Sequence, residues 1–206
     1  GSGRTEIARC VFGADKMSGG EMRLGGVPFS PRSPHDSIEA GIGFVTEDRK
    51  EQGILLDLSV RENISLASLS KISNLGFLRR RQEEKNAKES VEKLRVRTPS
   101  IEQQVGNLSG GNQQKIVLAK WLQTAPKLLI LDEPTRGIDV GAKLEIYGII
   151  NDLAAQGVAI LMISSELPEV LGMADTIVVV RDGRIAGTLS RAEATQEKVG
   201  QLALSG

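Results

Sequence analysis

Leu108-Ser109-Gly110-Gly111-Asn112-Gln113-Gln114-Lys115, followed closely by Leu128-Leu129-Ile130-Leu131-Asp132-Glu133-Pro134, decides the fold of this chain. The first stretch is a Ser-Gly-Gly turn opening into a helix. It directs free backbone N–H groups and a positive helix end outward, a ready site for an anion such as a nucleotide phosphate. The second is an apolar strand ending in two carboxylates, where a magnesium ion and an attacking water can be held. Each is ordinary alone, because Ser-Gly-Gly starts many helices and Asp-Glu-Pro ends many strands.

Downstream of these stretches, apolar runs of strand length alternate with helical spacing. Lys127 to Leu131 reads as a strand, Ala142 to Gln156 as a helix and Val158 to Ile163 as a buried strand. Pro168 to Met173 reads as a short helix, and Thr176 to Val180 pairs with Arg184 to Leu189 across an Asp182-Gly183 turn. A final helix is expected over about 192–203. Upstream, Glu21 to Leu24 and Val27 to Phe29 flank Gly25-Gly26 as a hairpin, a helix starts at Ser33-Pro34, and Ile42 to Thr46 is a strand. Val60 to Leu69 and Arg79 to Val96 carry helical spacing, the second as a charged, solvated helix. This alternation predicts an α/β protein with a mainly parallel sheet and an inserted helical subdomain. The expected division is a partial core over 1–52, a helical subdomain over 53–111, core again over 112–190 and a C-terminal helix over 191–206.

With 206 residues and 40% hydrophobic content, one substantial core can form. The 26 basic residues balance 26 acidic ones, so net charge carries no nucleic-acid footprint. No apolar run reaches the roughly 20 residues that span a bilayer, and no secretory leader pattern is seen. The single cysteine, Cys10, reads as a small buried helix residue, and the single histidine, His35, as a surface residue. The chain opens on Gly1-Ser2-Gly3-Arg4-Thr5-Glu6. This looks like the tail of a phosphate-binding loop, in which backbone N–H groups surround phosphates, a lysine neutralises them and a hydroxyl holds magnesium. Thr5 can supply that hydroxyl. Arg4 stands where the lysine belongs, and its planar fork does not reproduce an ammonium. Asp132 would face magnesium through water, and Glu133 would polarise the water that attacks the γ-phosphate.

In this order and spacing, the two opening stretches resemble the signature and Walker B motifs of an ABC transporter ATPase domain. The resemblance implies a P-loop NTPase fold, here without its first strands, using ATP and Mg2+. It assigns Ser109, Gly110, Gly111 and Asn112 to the signature, and Asp139 to the D-loop that contacts a facing ATPase domain. It also marks departures: Glu47 falls where a Q-loop glutamine is usual, and Ser165 where a histidine senses the γ-phosphate. With Arg4, these alter the groups that hold the domain's own nucleotide, whereas the signature is intact. The implied role is to donate Ser109 to a nucleotide bound by the facing domain, with the isolated chain weak or inactive as an ATPase.

Further segments narrow the resemblance. Thr46-Glu47-Asp48-Arg49-Lys50, Ser59-Val60-Arg61-Glu62-Asn63-Ile64, Pro134 to Lys143 and Ser164 to Val170 are similar to the second ATPase domain of bacterial ribose-, galactose- and xylose-type importers. Implied partners are the first ATPase domain of the same polypeptide, membrane permease subunits and, indirectly, a periplasmic sugar-binding protein. The implied place is the cytoplasmic face of the inner membrane. A nucleoside importer and a non-catalytic regulatory ABC domain are the rival readings. A DNA-repair ATPase lacks its marks here, a coiled-coil insertion or a basic surface.

Overall fold

Strand-length apolar runs and helical spacing translate into the following order in the computed structural model, which describes residues 3–204. Helix α1 (Arg4–Val11) precedes a short hairpin of β1 (Arg23–Leu24) and β2 (Val27–Pro28), then α2 (Pro34–Glu39) and β3 (Ile42–Val45). A π-helical turn, Arg49–Gly53, leads to α3 (Val60–Ser65), α4 (Leu69–Ile72), a hairpin of β4 (Ser73–Asn74) and β5 (Phe77–Leu78), and α5 (Arg80–Lys93). There follow α6 (Gly110–Leu122), β6 (Leu128–Asp132), α7 (Val140–Ala155), β7 (Ala159–Ile163) and α8 (Leu167–Met173). The last elements are β8 (Thr176–Arg181), β9 (Arg184–Ser190) and α9 (Gln196–Leu204). They group into two compact units, residues 40–161 and residues 1–39 with 162–206.

Residues 40–161 are organised by a sheet ordered β3-β6-β7. β3 and β6 run parallel, Ile42 opposite Leu128 through Val45 opposite Leu131. Both strands are mainly apolar and almost wholly buried, the pattern of strands covered on both faces. Helix α6 lies so close to β3 that a Cβ on Gly43 would sit 3.3 Å from Trp121 Cβ. From Gln113 to Trp121 this helix is buried on every face. Its polar side chains therefore need partners inside the protein. Gln113 Nε2 donates to Val105 O, Lys115 Nζ to Arg95 O and Lys120 Nζ to Gly53 O. Lys115 Nζ also pairs with Glu145 on α7 at 2.6 Å.

The helical layer of this unit, α3 against α5 and α6, begins at a capping box. Ser59 Oγ accepts from Glu62 N, and the Glu62 carboxylate accepts from Ser59 N, satisfying two donors that a helix start leaves over. Those bonds from Ser59 hold the Glu62 carboxyl below its ordinary range. Arg61, one residue earlier, reaches Glu83 at 2.6 Å and Glu102 at 2.8 Å. Glu83 is 1% exposed, so α5, whose charged run reads as a solvated helix face, turns one of its carboxylates inward.

In the other unit, β8 and β9 form the expected antiparallel hairpin, with Asp182 and Gly183 both left-handed, as a tight turn between twisted strands requires. Helix α9 packs on this hairpin. It starts at Gln196 rather than near residue 192, because Thr195 Oγ1 accepts from Lys198 N and because Glu193 is engaged in a turn with Ser190. Helix α5 stops at Lys93, short of Val96, where Arg95 turns left-handed at φ 50°. The β4–β5 hairpin, turning on Leu75-Gly76, was not expected.

Candidate functional site

Residues 40–161 contain the signature, the end of β6, the turn after it and the segment after β3. Ser109 sits at the N-cap of α6 with extended backbone and no side-chain bond to the helix start. Its hydroxyl is engaged by Asn112 instead, whose Nδ2 donates to Ser109 Oγ at 2.8 Å. The orientation of the Asn112 amide is fixed from its other end, where Oδ1 accepts from Arg97 N at 2.8 Å. An oxygen that already accepts from Asn112 keeps its own hydrogen to donate elsewhere. Ser109 is exposed, so its hydroxyl stands open to an acceptor at the start of a 13-residue helix, the end at which first-turn N–H groups lack intrahelical partners.

The two signature glycines are also packing residues. A Cβ on Gly110 would lie 2.9 Å from an Arg49 guanidinium nitrogen and 3.3 Å from Gly137 O. A Cβ on Gly111 would lie 2.5 Å from Ala142 Cβ, inside any carbon–carbon contact distance. The helix start is thus pressed against the turn after β6 and the first turn of α7.

At the carboxyl end of β6, Asp132 is 1% exposed and Glu133 adopts the left-handed region at φ 48°. Non-glycine residues there are uncommon and concentrate at functional positions. The chain then reverses, Arg136 N donating to Glu133 O at 3.1 Å. Asp139 closes the turn by capping α7, its Oδ1 accepting from Ala142 N at 2.9 Å. Glu47 forms an ion pair with Arg136, a partner the sequence did not suggest. Arg49, likewise missed, donates to Arg136 O at 2.7 Å and to Gly137 O at 3.2 Å.

The remaining candidates belong to residues 1–39 with 162–206. Gly3, left-handed at φ 91°, starts α1, with Arg4 and Thr5 in the first turn. A Cβ on Gly3 would come within 3.3 Å of Gly183 Cα, a second reason for glycine there. Arg4 Nη1 donates to Ser164 O at 2.8 Å, so its guanidinium is tied to the segment after β7. Ser164 Oγ in turn accepts from Glu166 N, and Ser165 between them is exposed. Gly1 and Ser2 lie outside the described residues.

A family model for ABC transporters matches residues 1–136, a span that includes Arg4 and Thr5, the Ser109-Gly110-Gly111 turn and the Asp132-Glu133 strand end. The chain belongs to the ABC transporter family. A ribose import ATP-binding protein of Oceanobacillus iheyensis is 52% identical over all 206 residues, which cover 42% of that protein. The chain thus spans less than half the length of this relative. Among solved structures, an ATP-binding cassette of an ABC transporter superimposes with a TM-score of 0.82 at 22% identity, over 98% of this chain and 83% of that one. A dimeric cassette in a post-hydrolysis state, bound to ADP and Pi, gives a TM-score of 0.78 at 19% identity, covering 92% of this chain and 81% of that one. At these identities the structural likeness speaks to the fold: a P-loop NTPase of the ATP-binding cassette type, mixed α/β with a parallel sheet. No helix among the described residues is long and apolar enough to cross a membrane.

Proposed function

We propose that this chain is the second, C-terminal ATPase domain of a two-domain sugar importer ATPase of the ribose type, and that it acts chiefly by completing the ATP site of the facing domain. The observation carrying this reading is the Arg97–Asn112–Ser109 relay, in which Asn112 accepts from Arg97 N and donates to Ser109 Oγ, leaving an exposed serine hydroxyl as a donor at a helix start. A γ-phosphate presented by a facing domain would receive that hydroxyl hydrogen, the first-turn N–H groups and the helix dipole together. The dimeric cassette among the structural neighbours supports a facing domain. The ribose import relative supports a simple sugar as cargo. On this reading the partners are membrane permease subunits and, indirectly, a periplasmic sugar-binding protein, and the place of work is the cytoplasmic face of the inner membrane.

At the chain's own nucleotide site, Glu133 would polarise the attacking water. Magnesium travels with nucleotide phosphates and needs only one or two protein oxygens. Asp132, a buried carboxylate at a strand end, and the Thr5 hydroxyl are donors of the right kind. When bound, the ion would neutralise phosphate charge. Weak use of this site is favoured by Arg4, which is turned onto Ser164 O, and by a serine at 165, which can hydrogen-bond a phosphate but cannot carry an imidazole's charge. We assign residues 53–111 to the helical subdomain that, with the Glu47 segment, receives the permease.

The test is ATP turnover by the full two-domain protein reconstituted with its permease. Ser109→Arg is expected to abolish turnover, and Glu133→Gln to leave most of it. Equal loss in both variants would make this domain's own site catalytic and refute the donor role.

A further inference from the structure

Three segments far apart in sequence meet at Arg49. Its guanidinium donates to Arg136 O and Gly137 O in the turn after β6, across a separation of 87 and 88 residues. One of its terminal nitrogens lies 2.9 Å from where a Cβ on Gly110 would stand, so the signature turn rests on the same group. Gly110 in turn lies against Gly137 O and Ile138 Cγ2, at 3.3 and 3.6 Å from that same Cβ position. A second tie, the Glu47–Arg136 ion pair, joins the same two segments two residues upstream. The π-helical turn that carries Arg49 is itself anchored, Asp48 Oδ1 accepting from Lys50 N at 2.9 Å and Glu51 N at 3.1 Å.

From this we infer that Arg49 is a positioning residue that locks the segment after β3, the turn before α7 and the signature into one body, so that displacement of the first is delivered to Ser109. The inference rests on the donor role proposed for Ser109. Its chemistry follows from the planar fork. Guanidinium can hold two adjacent carbonyls while its face and edge fill the space that Gly110 leaves open. An ammonium is a single point and can satisfy one carbonyl well, leaving the other unpaired and the cavity beside Gly110 part-empty. A truncated side chain satisfies neither carbonyl and lets the signature turn shift against the Gly137 turn. Arg49 touches no nucleotide in this account. It sets where Ser109 stands, and misplacement by about 1 Å is enough to cost on the order of 100-fold in rate.

The experiment compares wild type, Arg49→Lys, Arg49→Ala and Ser109→Arg in the full two-domain protein reconstituted with its permease. It measures kcat, KM for ATP and the urea unfolding midpoint. Each Arg49 variant is also assayed with millimolar methylguanidinium or methylammonium. Arg49→Ala is expected to lower kcat by roughly 10- to 100-fold with KM nearly unchanged, and Arg49→Lys by less. Methylguanidinium, and not methylammonium, should restore part of the Arg49→Ala loss. That selective rescue is a readout that a general loss of folding would not produce. If Arg49→Ala turns over ATP at the wild-type rate while Ser109→Arg is inactive, the positioning role is wrong and the donor role stands. If the Arg49→Ala loss tracks the urea midpoint and neither amine restores it, Arg49 is structural only and the inference falls. If Ser109→Arg keeps full turnover, the donor role beneath the inference fails first.

Discussion

Replacing Gly111 with alanine tests whether the second signature glycine is demanded by packing or by a ligand. The new Cβ would begin 2.5 Å from Ala142 Cβ, whereas carbon atoms in contact sit about 3.5–4.0 Å apart. Helix α6 and the first turn of α7 must therefore separate by about 1 Å, in a region where Lys115 and Glu145 already hold the two helices together. Forcing extra volume into such a contact costs about 1–3 kcal/mol. Alanine's better helix propensity returns at most about 1 kcal/mol, and less in a first turn. The expected net loss is about 1–2 kcal/mol. Ala142→Gly removes the obstructing carbon at a cost of about 1 kcal/mol in helix propensity. Combined, the two changes should destabilise less than their sum by about 1–2 kcal/mol. Urea unfolding followed by Trp121 fluorescence reads this directly, because the chain's single tryptophan lies on α6 and is 8% exposed. An unchanged or raised midpoint for Gly111→Ala, or no recovery in the double variant, would refute the packing argument. The glycine would then be kept for the close approach of a bound phosphate.

Two further expectations concern buried charge. Arg61→Met strands Glu83 in a site where it is 1% exposed, and should cost about 3–5 kcal/mol in urea unfolding. Glu102→Gln, which removes the other carboxylate at 58% side-chain exposure, should cost no more than about 1 kcal/mol. Burial lowers the Lys120 pKa from 10.5 to about 8. Below pH 8 folded and unfolded chains both carry this proton. Between about 8 and 10.5 the unfolded chain binds more, so this group makes stability rise with pH across that window, by about 3 kcal/mol in all. Lys120→Met should lose that rise, seen as a difference between the two proteins' unfolding midpoints at pH 7 and pH 10. An identical pH slope in both would show that Lys120 keeps an ordinary pKa.

Much of the sheet was legible in the sequence, because its strands are apolar runs bounded by turn residues. Leu128 to Leu131 and Asp182-Gly183 each carry a local signal strong enough to survive tertiary context. The β4–β5 hairpin was not legible. Leucine rarely takes the left-handed conformation that Leu75 adopts, so Leu75-Gly76 does not advertise a turn. Inward-facing Glu83 was hidden within a charged run, and the partner that makes its burial tolerable, Arg61, lies on another helix. In the candidate site, the serine, the glycines and the two carboxylates announced themselves by spacing. Arg49 and Arg136 did not, since their role depends on contacts between segments 87 residues apart. The orientation of Asn112 was equally invisible, because the Arg97 N–H that fixes it comes from a loop with no motif of its own.

The parallel pairing of β3 with β6 also imposes an order on how the chain comes together. Between these neighbours run α3, α4, α5 and α6, so pairing the two strands closes a loop that contains all of them. Closing so long a loop in one step is entropically costly, and parallel strands joined this way are slow to find each other. The helices between them offer a shorter route. α3 packs on α5 and α6, and α6 packs on β3, so each contact formed early shortens the distance the next must close. A chain folding by that route would assemble the helical insertion from nearby contacts before the central ladder closes, and substitutions in α3 and α6 would then slow folding more than those in β6.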